Sequence, residues 1–224
     1  MKIKEQICII PARGGSKRIK KKNIKKFNGE PIINYSIKSA KKTNLFSHIL
    51  VSSDSDKIKK VVMKMPQIFF QKRPKHLAKD DTLLRPVIKN ALINFSKKNA
   101  MPKYVCYITA TAPFIRFNEI INAYKILKKK KDINFVVSVT KFAYPVLRSL
   151  KLNKNGSIDF REKKYRNSLS NNLEEFYHDA GQFYWARTEA ILKNLPTFSN
   201  KTLPYILPYQ RVVDIDDNED WQKA

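Results

Sequence analysis

Two clusters of opposite charge stand near opposite ends of this chain, and each has the make-up of a site that handles phosphate. Between residues 13 and 26 there are eight Lys or Arg and no acid, and the run opens on Pro11-Ala12-Arg13-Gly14-Gly15-Ser16-Lys17-Arg18. Adjacent glycines let the backbone come close to an anion, and the NH groups they expose cradle phosphate oxygens. Ala12, Arg13, Gly14, Gly15, Ser16 and Lys17 are therefore expected to hold phosphates. The spacing is neither G-x-x-x-x-G-K-[ST] nor that of a dinucleotide fold. For Arg13 and Lys17, on the turn itself, phosphate contact is the expectation. For residues 20–26 taken alone, a solvated lysine-rich loop is the simpler reading.

The second cluster is acidic. Residues 214–224 hold five of the 19 acids. Asp214 and Asp216 flank Ile215, so at the end of a strand both would point to one side. Two hard carboxylates on one side suit Mg2+, which keeps several waters and takes further ligands from substrate phosphates. Helix capping is the plainer alternative for the cluster, and it is the expectation for Asp217, Glu219 and Asp220.

The elements that would position these clusters alternate. Residues 3–11 form a nearly continuous apolar run, as in a strand buried on both faces of a parallel sheet. Helical spacing follows over 31–43, a strand over 48–53 and a helix over 55–65 capped by Asp54. A short strand is expected at 67–71, a helix at 80–97, a strand at 104–109, a helix at 117–131 and a strand at 135–140. Strands separated by helices of this length indicate βαβ units. The pattern breaks over 141–176, where a turn at Asn153-Lys154-Asn155-Gly156 points to a hairpin-like insertion. It resumes with a strand at 182–186, a helix at 188–195, a strand over 205–213 and a last helix from 217. The expected fold is one α/β domain, 1–224, with a Rossmann-like, mostly parallel sheet flanked by helices. Ligands bind such sheets beyond the carboxyl ends of the strands, where the basic loop falls.

Composition bounds the function classes. The 224 residues carry a formal charge of +26, which first suggests a nucleic-acid binder. Only 10 of the 45 basic residues are Arg, however, and specific base readout leans on the Arg fork. Most of the excess is scattered Lys, and no nucleic-acid module is recognisable. A hydrophobic content of 42% supports a packed core and argues against global disorder. No apolar run reaches the roughly 20 residues that cross a bilayer. Cys8 and Cys106 both fall in expected strands, as buried reduced thiols of a cytoplasmic protein would.

Taken in order, Ile9-Ile10-Pro11-Ala12-Arg13-Gly14-Gly15-Ser16-Lys17-Arg18, Lys22-Asn23-Ile24, Val51-Ser52-Ser53-Asp54, Arg73-Pro74 with Leu77-Ala78, Thr111-Ala112-Pro113 and Asp214-Ile215-Asp216 resemble the sugar cytidylyltransferases that make CMP-activated nonulosonic acids. That group includes the CMP-sialic acid synthetases. Tyr177-His178-Asp179-Ala180-Gly181-Gln182-Phe183-Tyr184-Trp185 looks most like its pseudaminic acid members, with CMP-legionaminate and CMP-sialate synthesis as alternatives. The resemblance implies transfer of CMP from CTP to the anomeric hydroxyl of an acidic nine-carbon sugar, with release of pyrophosphate. It implies Arg13 and Lys17 on the triphosphate, with Arg13 at the reacting phosphorus, and Lys22, Asn23 and Arg73 around phosphate, ribose and base. Asp214 and Asp216 would hold Mg2+, with Asp216 a candidate base. Thr109, Arg148, His178, Asp179 and Gln182 fall at sugar-contact positions. At Thr109 the sialic acid enzymes usually have Gln and the pseudaminate pattern Ala, and Leu169 stands near an expected Arg, with Arg166 three residues away. The resemblance further implies a homodimer in which the inserted segment approaches the partner's site.

Overall fold

The computed structural model describes residues 5–224. The expected start of the first strand at Ile3 and Lys4 lies outside the described residues. β1 (Gln6–Pro11) is followed by a basic loop, a short ribbon of β2 (Lys26–Phe27) and β3 (Glu30–Pro31), and α1 (Ile33–Lys42). β4 (His48–Ser53), α2 (Asp56–Val62), β5 (Ile68–Lys72), α3 (Leu84–Ser96), β6 (Tyr104–Ile108), α4 (Phe117–Lys129) and β7 (Phe135–Lys141) continue the alternation. A small antiparallel hairpin, β8 (Leu150–Leu152) and β9 (Ile158–Phe160), lies in the segment inserted before β10 (Tyr177–Arg187). α5 (Thr188–Leu192), β11 (Thr202–Leu207) and α6 (Asn218–Lys223) complete the chain.

Seven strands form one sheet in the order β11-β7-β10-β6-β1-β4-β5. Every neighbouring pair is parallel except those of β10, which is antiparallel to both β6 and β7. The strand alternation sorts β1 cleanly. Cys8 and Ile10 pack with α1 and α4 residues such as Ile37 and Ile120, whereas Ile7 and Ile9 pack with Ile88 and Leu92 of α3. All four β1 residues are fully buried, as a central strand covered by helices on both faces requires. Among the described residues no helix is long and apolar enough to cross a membrane.

Three expectations need correction. The helix expected from 80 begins at Leu84, because Asp80 is drawn into ion pairs with Arg13 and Lys17. The last strand ends at Leu207, not near 213, since Pro208 has no NH for the ladder and a 3-10 turn follows at Tyr209–Arg211. Asp214, Ile215 and Asp216 therefore lie in irregular chain rather than at a strand end. Finally, α2 is capped by Ser55, whose hydroxyl accepts from Ile58 NH at 3.5 Å, and not by Asp54.

Candidate functional site

β1 and β6 are parallel neighbours, so the loops that leave them open side by side at one edge of the sheet, where the strand order changes direction. The loop after β1 is pinned at three points. Ala12 NH donates to Ser52 O at 2.9 Å, Gly14 NH to Asp54 Oδ1 at 2.8 Å, and Asn23 Nδ2 to Arg13 O at 2.8 Å. Gly14 is required by space: a β-carbon there would stand 2.7 Å from Ser55 Cβ. Asp54 thus holds the glycine turn, a role that its place before a helix concealed.

The cleft between these loops, about 280 Å³, is lined by Arg13, Ser16, Lys17, Lys22 and Asn23 on one side. Arg73 and Thr109 to Thr111 line the other, and Asp216 reaches in from the chain's end. Of the residues expected at the nucleotide, Arg13, Ser16, Lys17, Lys22, Asn23 and Arg73 share this cavity with Asp216, whereas Gly14 and Gly15 line a neighbouring one and Asp214 lines neither. Asn23 is buried and its amide shapes the loop. Arg73 is 5% exposed and donates through Nη2 to Ser52 O at 2.7 Å and through Nε to Ser52 Oγ at 3.3 Å. Burial lowers its pKa to about 10, with Asp54 pulling the other way, so it remains a cation at neutral pH. A buried cation whose hydrogen bonds go to neutral groups is costly to hold, and it faces the cavity.

Counter-charges stand around the cleft. Asp80 accepts from Arg13 and pairs with Lys17 at 2.5 Å, and the hydrogen bonds from Lys17 and then Arg13 lower its pKa to about 2. Asp216 pairs with Arg18 at 2.8 Å and Lys22 at 3.1 Å. Burial alone would raise its pKa, but Lys22 and Arg18 outweigh that and hold it below the ordinary value. Lys22 also donates to Ile215 O. The alternation around Ile215 survives without a strand, because Ile215 is fully buried against Ile19 and Ile32. Asp217 and Asp220 do cap α6: Asp217 Oδ1 accepts from Glu219 and Asp220 NH, and Asp220 Oδ2 from Asp216 and Asp217 NH.

Asp214 differs from its neighbours. Among the described residues nothing donates a hydrogen bond to its carboxylate, and burial first, then the charge of Asp216, raise its pKa. A carboxylate whose ionisation is made costly by burial and by a neighbouring carboxylate has the chemistry of a cation ligand. Among the described residues there is no cluster of three or more His, Cys, Asp or Glu side chains able to hold a metal.

The expected sugar-side residues are less uniformly placed. Thr109 lines the cleft and donates to Gly181 O at 2.7 Å. Asp179 lines a neighbouring cavity of about 630 Å³ with Leu83, Leu84, Tyr107, Tyr184 and Phe198, and Leu84 borders both cavities. His178 is exposed beside Phe142, its Nδ1 2.9 Å from Asp179 O. Gln182 is buried and its amide donates to Arg211 O at 2.8 Å, which makes it a brace rather than an open contact. Arg148 lies in the inserted segment with Nη1 3.3 Å from Ser170 Oγ and lines neither cavity. Sequence reasoning missed Arg18, Asp80 and the brace of Gln182. For Asp80 the signal was there, an Asp-Asp pair in a strongly basic chain.

Residues 7–213 match the cytidylyltransferase family model. The chain is 35% identical over 220 residues to pseudaminic acid cytidylyltransferase of Campylobacter jejuni, covering 98% of this chain and 94% of that one. It is 30% identical over 219 residues to CMP-N,N'-diacetyllegionaminic acid synthase of the same species, covering 97% and 92%. Among solved structures, CMP:2-keto-3-deoxy-manno-octonic acid synthetase complexed with CTP superposes with a TM-score of 0.69 at 13% identity, covering 97% of this chain and 95% of that one.

Proposed function

The chain belongs to the cytidylyltransferase family, and we propose that it transfers CMP from CTP to the anomeric hydroxyl of pseudaminic acid, releasing pyrophosphate. The observation that carries this reading is the convergence of Arg13, Lys17, Lys22 and Arg73 with Asp216 on one cleft beside a second, partly apolar cavity. The identity to pseudaminate enzymes over nearly full length supports the sugar.

In this mechanism the triphosphate lies along the loop after β1, with Gly15 offering its backbone NH while Gly14 NH stays bound to Asp54, and Arg13, Ser16 and Lys17 contacting its oxygens. Phosphoryl transfer asks little covalent work of a protein; it asks for in-line positioning and positive charge around the spreading negative charge. Arg13 supplies that charge at the reacting phosphorus and Lys17 on the departing pyrophosphate. Lys22 bridges phosphate to the acidic segment, and Asn23 keeps the loop in shape. Arg73 gives the nucleotide a fixed, desolvated cation. Asp214 and Asp216 are assigned as the ligands of Mg2+, which when bound screens the phosphates and polarises the bond to be broken. Asp216, which faces the cleft, is assigned to take the proton of the attacking hydroxyl.

The sugar is assigned to the cavity that Asp179 shares with Tyr107, Tyr184 and Phe198, whose apolar walls suit acylamino and methyl groups. Arg148 and the inserted segment enter a site only through a partner subunit in this reading. Leu150, Leu152 and Ile158 of the hairpin expose 53%, 76% and 65% of their surface, which supports a homodimer. The buried free thiols Cys8 and Cys106 are consistent with a cytoplasmic location.

The test is pyrophosphate release from CTP with Mg2+ and, separately, pseudaminic, legionaminic, sialic and 3-deoxy-octulosonic acids. Highest kcat/KM with pseudaminic acid is expected, and preference for sialic acid refutes the substrate. Arg13→Ala and Asp216→Asn are expected to abolish turnover while the fold persists; near-native activity in either refutes the placement.

A further inference from the structure

β10 carries a bulge at the point where it passes the acidic segment. Its pairing with β7 runs Asp179 with Val139 and next Tyr184 with Val137, so five steps along β10 match two along β7. Four bonds pin the extra residues. Gly181 NH donates to Asp179 Oδ1 at 2.9 Å, and Thr109 Oγ1 donates to Gly181 O at 2.7 Å. Gln182 Nε2 donates to Arg211 O, and Phe183 NH to Ser138 Oγ at 3.0 Å. At the crest Gly181 adopts φ +62°, and a β-carbon there would stand 3.4 Å from Asp214 Cγ and 3.5 Å from both of its oxygens. The bare Gly181 backbone thus faces the Asp214 carboxylate with room for about one methyl group between them.

We propose that Asp179, anchored by Tyr184, is the positioning residue that sets the Asp214 carboxylate through this bulge. Its second oxygen accepts from Tyr184 OH at 2.7 Å. Tyr184 is itself fixed, stacked on Tyr107 with ring centres 4.8 Å apart and planes at 11°. The chain of contacts runs from a rigid ring pair in the sheet, through both oxygens of Asp179, to Gly181 NH, and so to the backbone that bounds the space of the Asp214 carboxylate. An Asp with both oxygens committed to protein donors works through its neighbours, and Gln182 completes the frame by holding the chain at Arg211, three residues before Asp214.

The assignment rests on the reading of Asp214 as a Mg2+ ligand, and the experiment separates the two. Mn2+ is titrated into the CTP complex with no sugar present, and free Mn2+ is followed by electron paramagnetic resonance against CTP alone. Asp179→Asn offers one acceptor oxygen and cannot serve both donors. It is expected to weaken Mn2+ retention about tenfold, the usual scale for loss of a group that orients a metal ligand, with Tyr184→Phe weakening it less. Unchanged Mn2+ retention in both variants overturns the proposal, as does a large rise in sugar KM with Mn2+ retention intact. If Asp179→Asn does not fold, Tyr184→Phe decides. A wild-type enzyme that adds no Mn2+ binding to that of CTP refutes the metal reading itself, a result distinct from either.

Discussion

Asp80 and Arg13, 67 residues apart in the chain, are joined by a salt bridge at the mouth of the cleft. Asp80 also holds Lys17, so one carboxylate occupies the space between the two cations assigned to the triphosphate. Asp80→Asn removes a competitor for those cations, and KM for CTP is expected to fall by up to about fivefold, the worth of an exposed pair. Initial rates against CTP concentration test this; a rise in KM counts against it.

Arg73→Lys keeps the charge but loses the planar fork that reaches Ser52 O and Oγ while facing the cleft. Loss of charge-assisted bonds of about 1.5 to 3 kcal/mol gives an expected drop of about ten- to a hundredfold in kcat/KM for CTP. Circular dichroism shows whether the fold is retained.

Gly14→Ala forces a β-carbon against Ser55 Cβ. Overpacking of this kind costs about 1 to 3 kcal/mol, and here it also pulls Gly14 NH from Asp54. A lower urea midpoint together with weakened CTP binding is expected, the second measured by calorimetry.

His48 sits between Phe69 and Phe95, with ring centres 4.6 and 4.9 Å away, and its buried Nδ1 has no hydrogen-bond partner. Burial lowers its pKa. A base with a depressed folded pKa adds stability above its unfolded value near 6.5, and that stability is lost as pH falls through the folded value. Between pH 7.5 and 5.5 the wild type is therefore expected to lose more thermal stability than His48→Phe. Equal losses in the two proteins contradict this.

Leu152→Glu places a charge on the exposed hairpin. If that face joins two subunits, light scattering is expected to report the monomer mass for the variant and twice that for the wild type.

The sequence made the sheet and the basic loop legible because both depend on local signals: the buried run around Ile7 to Ile10, and the glycine pair with Arg13 and Lys17 on the turn that follows. The acidic segment was half legible. Its alternation around Ile215 is readable from sequence, but the strand that the pattern suggests ends before Pro208, and burial of Ile215 keeps the alternation instead. The remainder depends on contacts between distant residues. Asp54 bonding Gly14 and Gln182 bonding Arg211 span 40 and 29 residues, and nothing in the spacing of either pair announces it.

One reversed strand in an otherwise parallel sheet has an effect on how freely this chain can vary. β7 runs toward the edge where the cleft opens, and β10 starts from that same edge, so the 142–176 connection leaves and returns on one side without crossing the sheet. A connection of that kind can grow or shrink at small entropic cost while the register of every strand stays fixed. Residues of this segment can therefore be exchanged, and its length changed, while the loop after β1 keeps its pinned form and the nucleotide-facing side chains keep their places.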